Sequence, residues 1–137
     1  MTLPPIDIEA LRPGEHLFAR LPFNDVEGPP ESLTVELHNR PYLANTRGAL
    51  QGGLVATLID VAAGRLAVTT VKDGQEVATA DMNVHFLAPI RVGPARAVAT
   101  IVRARKRVVV VAVDVTDVGA GRCAARATLS FAVLDQR

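Results

Sequence analysis

Apolar and polar residues alternate over several short stretches of this chain, and a period of two residues predicts β-strands. Residues 95–104 are also predicted to form a strand. The alternation is clear over residues 32–37 and 123–133, and it extends over residues 77–86. In this last stretch we expect one face to carry Ala78, Ala80, Met82, Val84 and Phe86, and the other Thr79, Asp81, Asn83 and His85. Residues 108–115 are almost entirely apolar, which is typical of a strand in the middle of a sheet. Turns separate residues 77–86, 95–104, 108–115 and 123–133, so we expect these four strands to form an antiparallel meander.

A different period between residues 52 and 71 predicts the single long helix of the chain. Apolar side chains recur at Leu54, Leu58 and Val61. A second row consists of small residues and one acid, Gly53, Ala56, Asp60, Ala63, Gly64 and Ala67. One helix with antiparallel strands predicts an α+β fold in which a sheet wraps around a central helix. Such a monomer leaves a sheet edge uncovered, so we expect self-association as a homodimer or homotetramer.

Length and composition narrow the class of protein. The 137 residues fit a single domain, residues 1–137, in which the proline-rich residues 1–30 form an irregular N-terminal extension. The net charge of +1 gives no general attraction to nucleic acid. Because neither a leader pattern nor an apolar run of about 18 residues is apparent, we expect a cytoplasmic protein that contacts no membrane. One cysteine and three scattered histidines provide no spacing for a metal site.

Asp60 is the first candidate for chemistry because it is the only acid in the predicted helix. A carboxylate in apolar surroundings requires a partner or a function. It could equally have no chemical role, as a structural residue paired with Arg65 or Arg47 or as one that is simply exposed, and the sequence alone does not separate these possibilities.

Gly52 and Gly53 stand at the entry to the same helix. The first N–H groups of a helix have no acceptor within it and carry the positive end of its dipole, so they can bind a polarised carbonyl oxygen. Glycine leaves room for a substrate to approach them, although two glycines could also form only a tight turn.

Gly52 and Asp60 cannot act on one carbonyl group from a single helix. Eight residues at a rise of 1.5 Å separate them by about 12 Å, whereas catalytic contacts lie within about 3 Å. If they act together, the amide of one subunit faces the carboxylate of another across a two-fold axis. The two residues therefore predict an active site at a subunit interface.

Two segments resemble a known family, residues 45–60 with the sequence NTRGALQGGLVATLID and residues 79–89 with the sequence TADMNVHFLAP. Over about residues 33–134 the chain resembles the PaaI-type acyl-CoA thioesterases of the hotdog superfamily. The resemblance implies a hotdog fold and hydrolysis of an acyl-CoA thioester to the free acid and coenzyme A. It implies no cofactor, because coenzyme A is part of the substrate.

The resemblance also implies a role for four residues. Gly52 matches the glycine whose amide polarises the thioester carbonyl, and Asn45 matches a polar loop residue that helps to place the carbonyl or the water. Asp60, from the facing subunit, matches the carboxylate that activates water as a general base or attacks as a nucleophile. Thr79 matches a hydroxyl residue that orients the water beside that carboxylate.

The substrate site departs from the family pattern at two positions. Gln51 stands where many members have a histidine before the two glycines, so an amide must make the hydrogen bond of that histidine or the bond is lost. Gly64 stands where some members have a hydroxyl residue, which leaves the water fewer partners and could widen the pocket for a bulkier acyl group. Together with Gly53, both residues are expected to line the substrate site, and the apolar surroundings suggest an apolar or aromatic acyl group.

The densest basic cluster, Arg105, Lys106 and Arg107 at a predicted hairpin tip, is the candidate contact for the phosphates of coenzyme A. A charged tip could instead serve solubility. Two other functions were weighed, and only the first stays open. One is a non-catalytic hotdog module that binds or senses acyl-CoA, for which Gln51 and Gly64 leave room. The other, a hotdog dehydratase or isomerase, needs an acid–base pair that the helix does not supply.

Overall fold

A computed structural model describes residues 16–136, so the prediction for residues 1–15 lies outside the described part. This part contains one α-helix, α1 (Gly52–Ala67). It also contains six strands, β1 (Phe23–Val26), β2 (Ser32–Leu37), β3 (Gln75–Phe86), β4 (Ala95–Ala104), β5 (Val108–Asp117) and β6 (Arg122–Asp135). All strands pair antiparallel, in the order β1-β2-β4-β5-β6-β3. The predicted α+β architecture, a sheet around one helix, is confirmed.

The helix packs one apolar face against the sheet. Its buried side chains are Val55, Leu58, Ile59, Ala62, Ala63, Leu66 and Ala67. The facing strands contribute small and β-branched residues that are at most 1% exposed, Ala95, Ala97 and Ala99 of β4 and Val109, Val111, Val113 and Val115 of β5. Small side chains let the helix backbone approach the sheet closely. Leu54 and Val61, two members of the apolar row that the sequence shows, are only half-buried.

The apolar length of the helix corrects one expectation. By length and composition alone, α1 and the short 3-10 helix Val68–Thr70 that continues it, together the 19 residues Gly52–Thr70, would qualify as a membrane span, whereas no such stretch was expected. Seven side chains of α1 are buried in the described chain, and together 39% of this stretch is buried there.

Two predictions about the strands were wrong. β3 does not form a hairpin with β4 but pairs with β6 at the far edge of the sheet, so only β4, β5 and β6 form a meander. The strict alternation in β3 is also broken. Thr79 pairs with Phe131 and Asp81 pairs with Ser130, which leaves Ala80 as an extra, bulged residue. The bulge moves Thr79 to the helix side of the sheet.

Part of the expected irregular extension is ordered secondary structure. A 3-10 helix covers Leu17–Arg20, and β1 pairs along β2 with Phe23 opposite Leu37. The strand was missed because residues 23–26 are too short, and too rich in polar side chains, to show a period of two.

Candidate functional site

Asp60 lies in the middle of α1, half-buried, on the side that faces β3. Its Oδ1 accepts a hydrogen bond of 2.8 Å from the hydroxyl of Thr79. This contact exists because the β-bulge turns Thr79 toward the helix. The structure therefore brings together the two residues that were expected to act around the water.

In the described residues, Asp60 does not form the ion pair with Arg65 or Arg47 that a paired structural role would require. Arg65 forms a bidentate ion pair with Asp25 of β1 instead. The hydrogen bond from Arg65 lowers the pKa of Asp25 below its usual value. Between residues 16 and 136, no salt bridge involves Asp60 or Arg47. The second carboxylate oxygen of Asp60 thus stays available for a ligand.

The helix entry has the free donors that its sequence predicts. The N–H groups of Gly52 and Gly53 make no hydrogen bond within the described chain, because the first intrahelical bonds run from Leu54 and Val55 to the carbonyl of Gln51. A Cβ atom on Gly52 would lie 3.7 Å from the ring of Phe86, and one on Gly53 would meet no atom within 4 Å. The side chain of Gln51 caps no backbone group.

Asn45 organises the loop that leads to this entry. Its Oδ1 accepts hydrogen bonds from the backbone N–H groups of Arg47, at 2.9 Å, and Ala49, at 3.1 Å. This is the local side-chain bonding by which asparagine stabilises turns. Since the carboxamide oxygen is engaged, the Nδ2 group is the part of the side chain that can contact a ligand.

A groove of about 350 Å³ brings Asn45 and Gly52 together. Its other lining residues are mostly apolar, Ala49, Leu50, Val55, Phe86, Leu87, Ala88, Pro89, Ile90 and Ala124. Polar donors at one side of an apolar groove are typical of a small-molecule site. The contribution of residues 86–90 was not predicted, because the end of β3 and the following segment carry no polar side chain that would mark them as part of a site.

The four predicted catalytic residues form two separate pairs within one chain. Asn45 and Gly52 line the groove, whereas Asp60 and Thr79 do not. About 12 Å of helix separates Gly52 from Asp60. β3, which carries Thr79, is an edge strand of the sheet, and Met82 and Phe86 on it are 39% and 58% exposed.

Gly64 lies one turn beyond Asp60 in the helix, whereas the basic cluster lies at a turn of the sheet. Gly64 packs over Phe131, and an added Cβ atom would lie 3.6 Å from that ring, which is ordinary contact. Arg105, Lys106 and Arg107 are exposed at the turn between β4 and β5. Arg105 and Lys106 line a surface depression of about 370 Å³ with residues 70–72, next to the C-terminal end of the helix and far from the groove at Gly52.

Comparison with known proteins identifies the family. The model of the thioesterase superfamily matches residues 47–124. Acyl-coenzyme A thioesterase 13 of Mus musculus is 29% identical over 102 residues, which cover 74% of this chain and 72% of that protein. A Bacillus halodurans protein solved with CoA is 36% identical, with a TM-score of 0.69 over 74% of this chain and 66% of that one.

A thioesterase variant from Pseudomonas aeruginosa has a TM-score of 0.82 at 20% identity, covering 95% of both chains, and so shares the fold. These structures confirm the expected hotdog fold. Because the family model covers more than half of the sequence, the chain belongs to the thioesterase superfamily, a family of thioester hydrolases.

Proposed function

We propose that this protein hydrolyses acyl-CoA thioesters to the free acid and coenzyme A, with Asp60 as the catalytic carboxylate. The observation that carries the proposal is the hydrogen bond of 2.8 Å from Thr79 to Asp60, in a chain of the thioesterase superfamily. The mouse relative is named as an acyl-coenzyme A thioesterase, and the Bacillus halodurans relative was solved with CoA, which supports acyl-CoA as the substrate class.

The chemistry requires a carboxylate with one oxygen held and one oxygen free. Thr79 holds Oδ1 of Asp60, and Oδ2 can then accept a proton from water while the water oxygen attacks the carbonyl carbon. The C–S bond breaks as the intermediate collapses, and the thiolate takes up a proton. Alternatively, Oδ2 itself attacks the carbonyl carbon and the C–S bond breaks with loss of the thiolate, and water then hydrolyses the resulting anhydride and regenerates the carboxylate. Both routes give the same two products.

The carbonyl oxygen needs donors that Asp60 does not provide. The free N–H of Gly52 supplies one, at the positive end of the helix dipole, and the Nδ2 group of Asn45 supplies a second. Gly52 lies about 12 Å from Asp60 in the same helix. The donors that act with Asp60 therefore belong to a second copy of the chain.

The edge strand β3 supports a homodimer of this kind. One side of its 12 residues has no neighbouring strand in the described chain, and its exposed Met82 and Phe86 offer apolar surface to a partner. Antiparallel pairing of two such edges would run the two helices antiparallel, with the Gly52 end of each toward Asp60 of the other. Two such dimers could form the homotetramer.

The other candidate residues take supporting roles in this proposal. Gly53 and Gln51 flank the carbonyl site, and Gly64 leaves space beside Asp60 for the acyl group. We assign the phosphates of coenzyme A to Arg105, Lys106 and Arg107. This cluster lies by Thr70, which is about 15 Å of helix beyond Asp60, a separation that the flexible arm of coenzyme A can bridge.

The test is the release of free thiol from a panel of aliphatic and aromatic acyl-CoAs. We expect Asp60→Asn to lower kcat by about 10²–10⁴-fold, the usual contribution of a general base. Asp73→Asn, the same change at an exposed turn after the helix, should leave the rate unchanged. Equal rates for wild type and Asp60→Asn would exclude Asp60 as the catalyst. Binding of coenzyme A without turnover of any thioester would indicate a non-catalytic module instead.

A further inference from the structure

A fully buried carboxylate lies at the end of β5, outside the catalytic pairs. Oδ2 of Asp117 accepts hydrogen bonds from the N–H groups of Arg91 and Val92, at 3.1 and 3.3 Å. Oδ1 accepts from Gly93, at 2.8 Å, and Ala120, at 3.3 Å. Burial raises the pKa of Asp117, but these backbone hydrogen bonds, that of Gly93 foremost, outweigh it and hold the pKa below its usual value.

One peptide group connects this carboxylate to the helix entry. The N–H of Arg91 donates to Asp117, and the C=O of Ile90, in the same peptide group, accepts a hydrogen bond of 2.9 Å from the N–H of Leu50. A trans peptide group is planar, so fixing the direction of its N–H also fixes the direction of its C=O. A charge on the donor side strengthens the acceptor side, because hydrogen bonds in a chain polarise one another.

Leu50 precedes Gly52 by two residues, so the connection ends at the proposed carbonyl site. Leu50 and Ile90 are both buried, and both line the groove that holds Gly52 and Asn45. Their hydrogen bond joins the two segments that form the groove, the helix-entry loop and the segment that follows β3. A displacement of the Ile90 carbonyl would therefore move the helix entry relative to the groove.

We propose that Asp117 is a positioning residue that acts through the Ile90–Arg91 peptide group and Leu50 to aim the amide of Gly52 into the groove. The effect of Asp117 on the rate rests on the proposed function, in which the amide of Gly52 binds the thioester carbonyl. The effect of Asp117 on the position of that amide does not depend on the proposed function. An oxyanion donor works only when it is preorganised at the position where charge develops, so a small misplacement lowers the rate while the ground-state affinity changes little.

Asn39 contacts the carbonyl of Ile90 independently of Asp117. Its Nδ2 group donates a second hydrogen bond of 3.2 Å to the oxygen of Ile90. Asn39 is only half-buried, so its replacement disturbs the core less than that of Asp117. Both side chains fix the Ile90–Arg91 peptide group, one through its N–H and one through its C=O.

The experiment compares Asp117→Asn with Asp114→Asn. The control residue is on the same strand, and its carboxylate is 65% exposed in a surface pair of 3.2 Å with Arg126. One measurement is kcat and KM for an acyl-CoA that the wild type hydrolyses. The other is the ¹⁵N–¹H spectrum of glycine-labelled protein, in which Gly52→Ala identifies the Gly52 signal among the ten glycines.

We expect Asp117→Asn to lower kcat about tenfold, to change KM less than twofold, and to shift the Gly52 amide signal. Asp114→Asn should change none of these. The proposal is wrong if Asp117→Asn lowers only the melting temperature and leaves kcat and the Gly52 signal unchanged, because Asp117 would then hold its own loop alone.

Two further outcomes are informative. If Asp117→Asn does not fold, Asn39→Ala must produce the same shift of the Gly52 signal and a smaller loss of kcat, and an unchanged signal overturns the proposal. If the wild type hydrolyses no thioester, the proposed function fails. The Gly52 signal in the Asp117 and Asn39 variants still decides whether the connection exists.

Discussion

Replacing Thr79 by valine removes the one hydrogen bond that the described chain offers to the side chain of Asp60. Valine has the same branched shape, so the conformation of β3 should be retained. The hydroxyl that donates to Oδ1 at 2.8 Å is lost. The carboxylate then has no group that fixes its rotation, and the oxygen that meets the water or the thioester is no longer held in place.

The size of the effect follows from the exposure of the two residues. A hydrogen bond to a charged group contributes about 1.5–3 kcal/mol. Thr79 is exposed and Asp60 only half-buried, so solvent weakens the interaction and the lower end of this range, about 1.5 kcal/mol, applies. Because 1.36 kcal/mol corresponds to a factor of ten in rate, we expect kcat/KM to fall about tenfold.

The assay is thiol release at low substrate concentration for wild type, Thr79→Val and Thr79→Ser. Serine keeps the donor and should recover most of the rate. Thr100→Val, at an exposed threonine of β4, is the matched control and should be as active as the wild type. A fully active Thr79→Val, or a Thr79→Ser variant as slow as Thr79→Val, would refute the reasoning.

Three other expectations concern stability, specificity and pH. Leu58→Ala removes a side chain with 0% exposure and should cost about 3–5 kcal/mol in urea unfolding, and a loss below 1 kcal/mol would contradict this packing. Gly64→Ser fits against Phe131 and should raise KM for the bulkiest acyl-CoA relative to acetyl-CoA; an unchanged ratio would place the acyl group elsewhere. Because the pKa of Asp117 is lowered, its contribution to stability is complete above its ordinary value of 3.8 and is lost as the pH falls through the lower folded value. The melting temperatures of wild type and Asp117→Asn should therefore converge below about pH 4, and a constant difference down to pH 2.5 would be inconsistent with this.

The spacing of apolar residues along the sequence was sufficient to predict the long helix and the strands after it, but not to predict how the strands pair. The helix and the strands after it were predicted because their faces differ in polarity along the chain. The pairing of β3 with β6 could not be predicted, because it joins segments about 50 residues apart through backbone hydrogen bonds that any side chains allow. The bulge at Ala80 is a single inserted residue in a run of small side chains, so it leaves no mark in composition.

Only the part of the candidate site that local sequence marks could be predicted. Asp60 and Gly52 were recognisable as an acid in an apolar helix and a glycine pair at a helix entry. The contact of Thr79 with Asp60 depends on the bulge, and from the residues alone Thr79 was assigned to a face that it does not share with the apolar side chains. Asp117 could not be predicted as part of the site, because its three hydrogen bonds to residues 91–93 are formed only in the folded chain.

Subunit complementation tests the central claim most directly, that Asp60 and the pair Asn45 and Gly52 act from different copies of the chain. Asp60→Asn and Asn45→Ala, each of which we expect to be nearly inactive alone, are mixed under conditions that exchange subunits. Random exchange places half of the dimers in mixed form, and each mixed dimer has one intact site, so about a quarter of the wild-type activity should return. If the residues acted from the same subunit, every site would carry one lesion, and the mixture would stay as inactive as its parents.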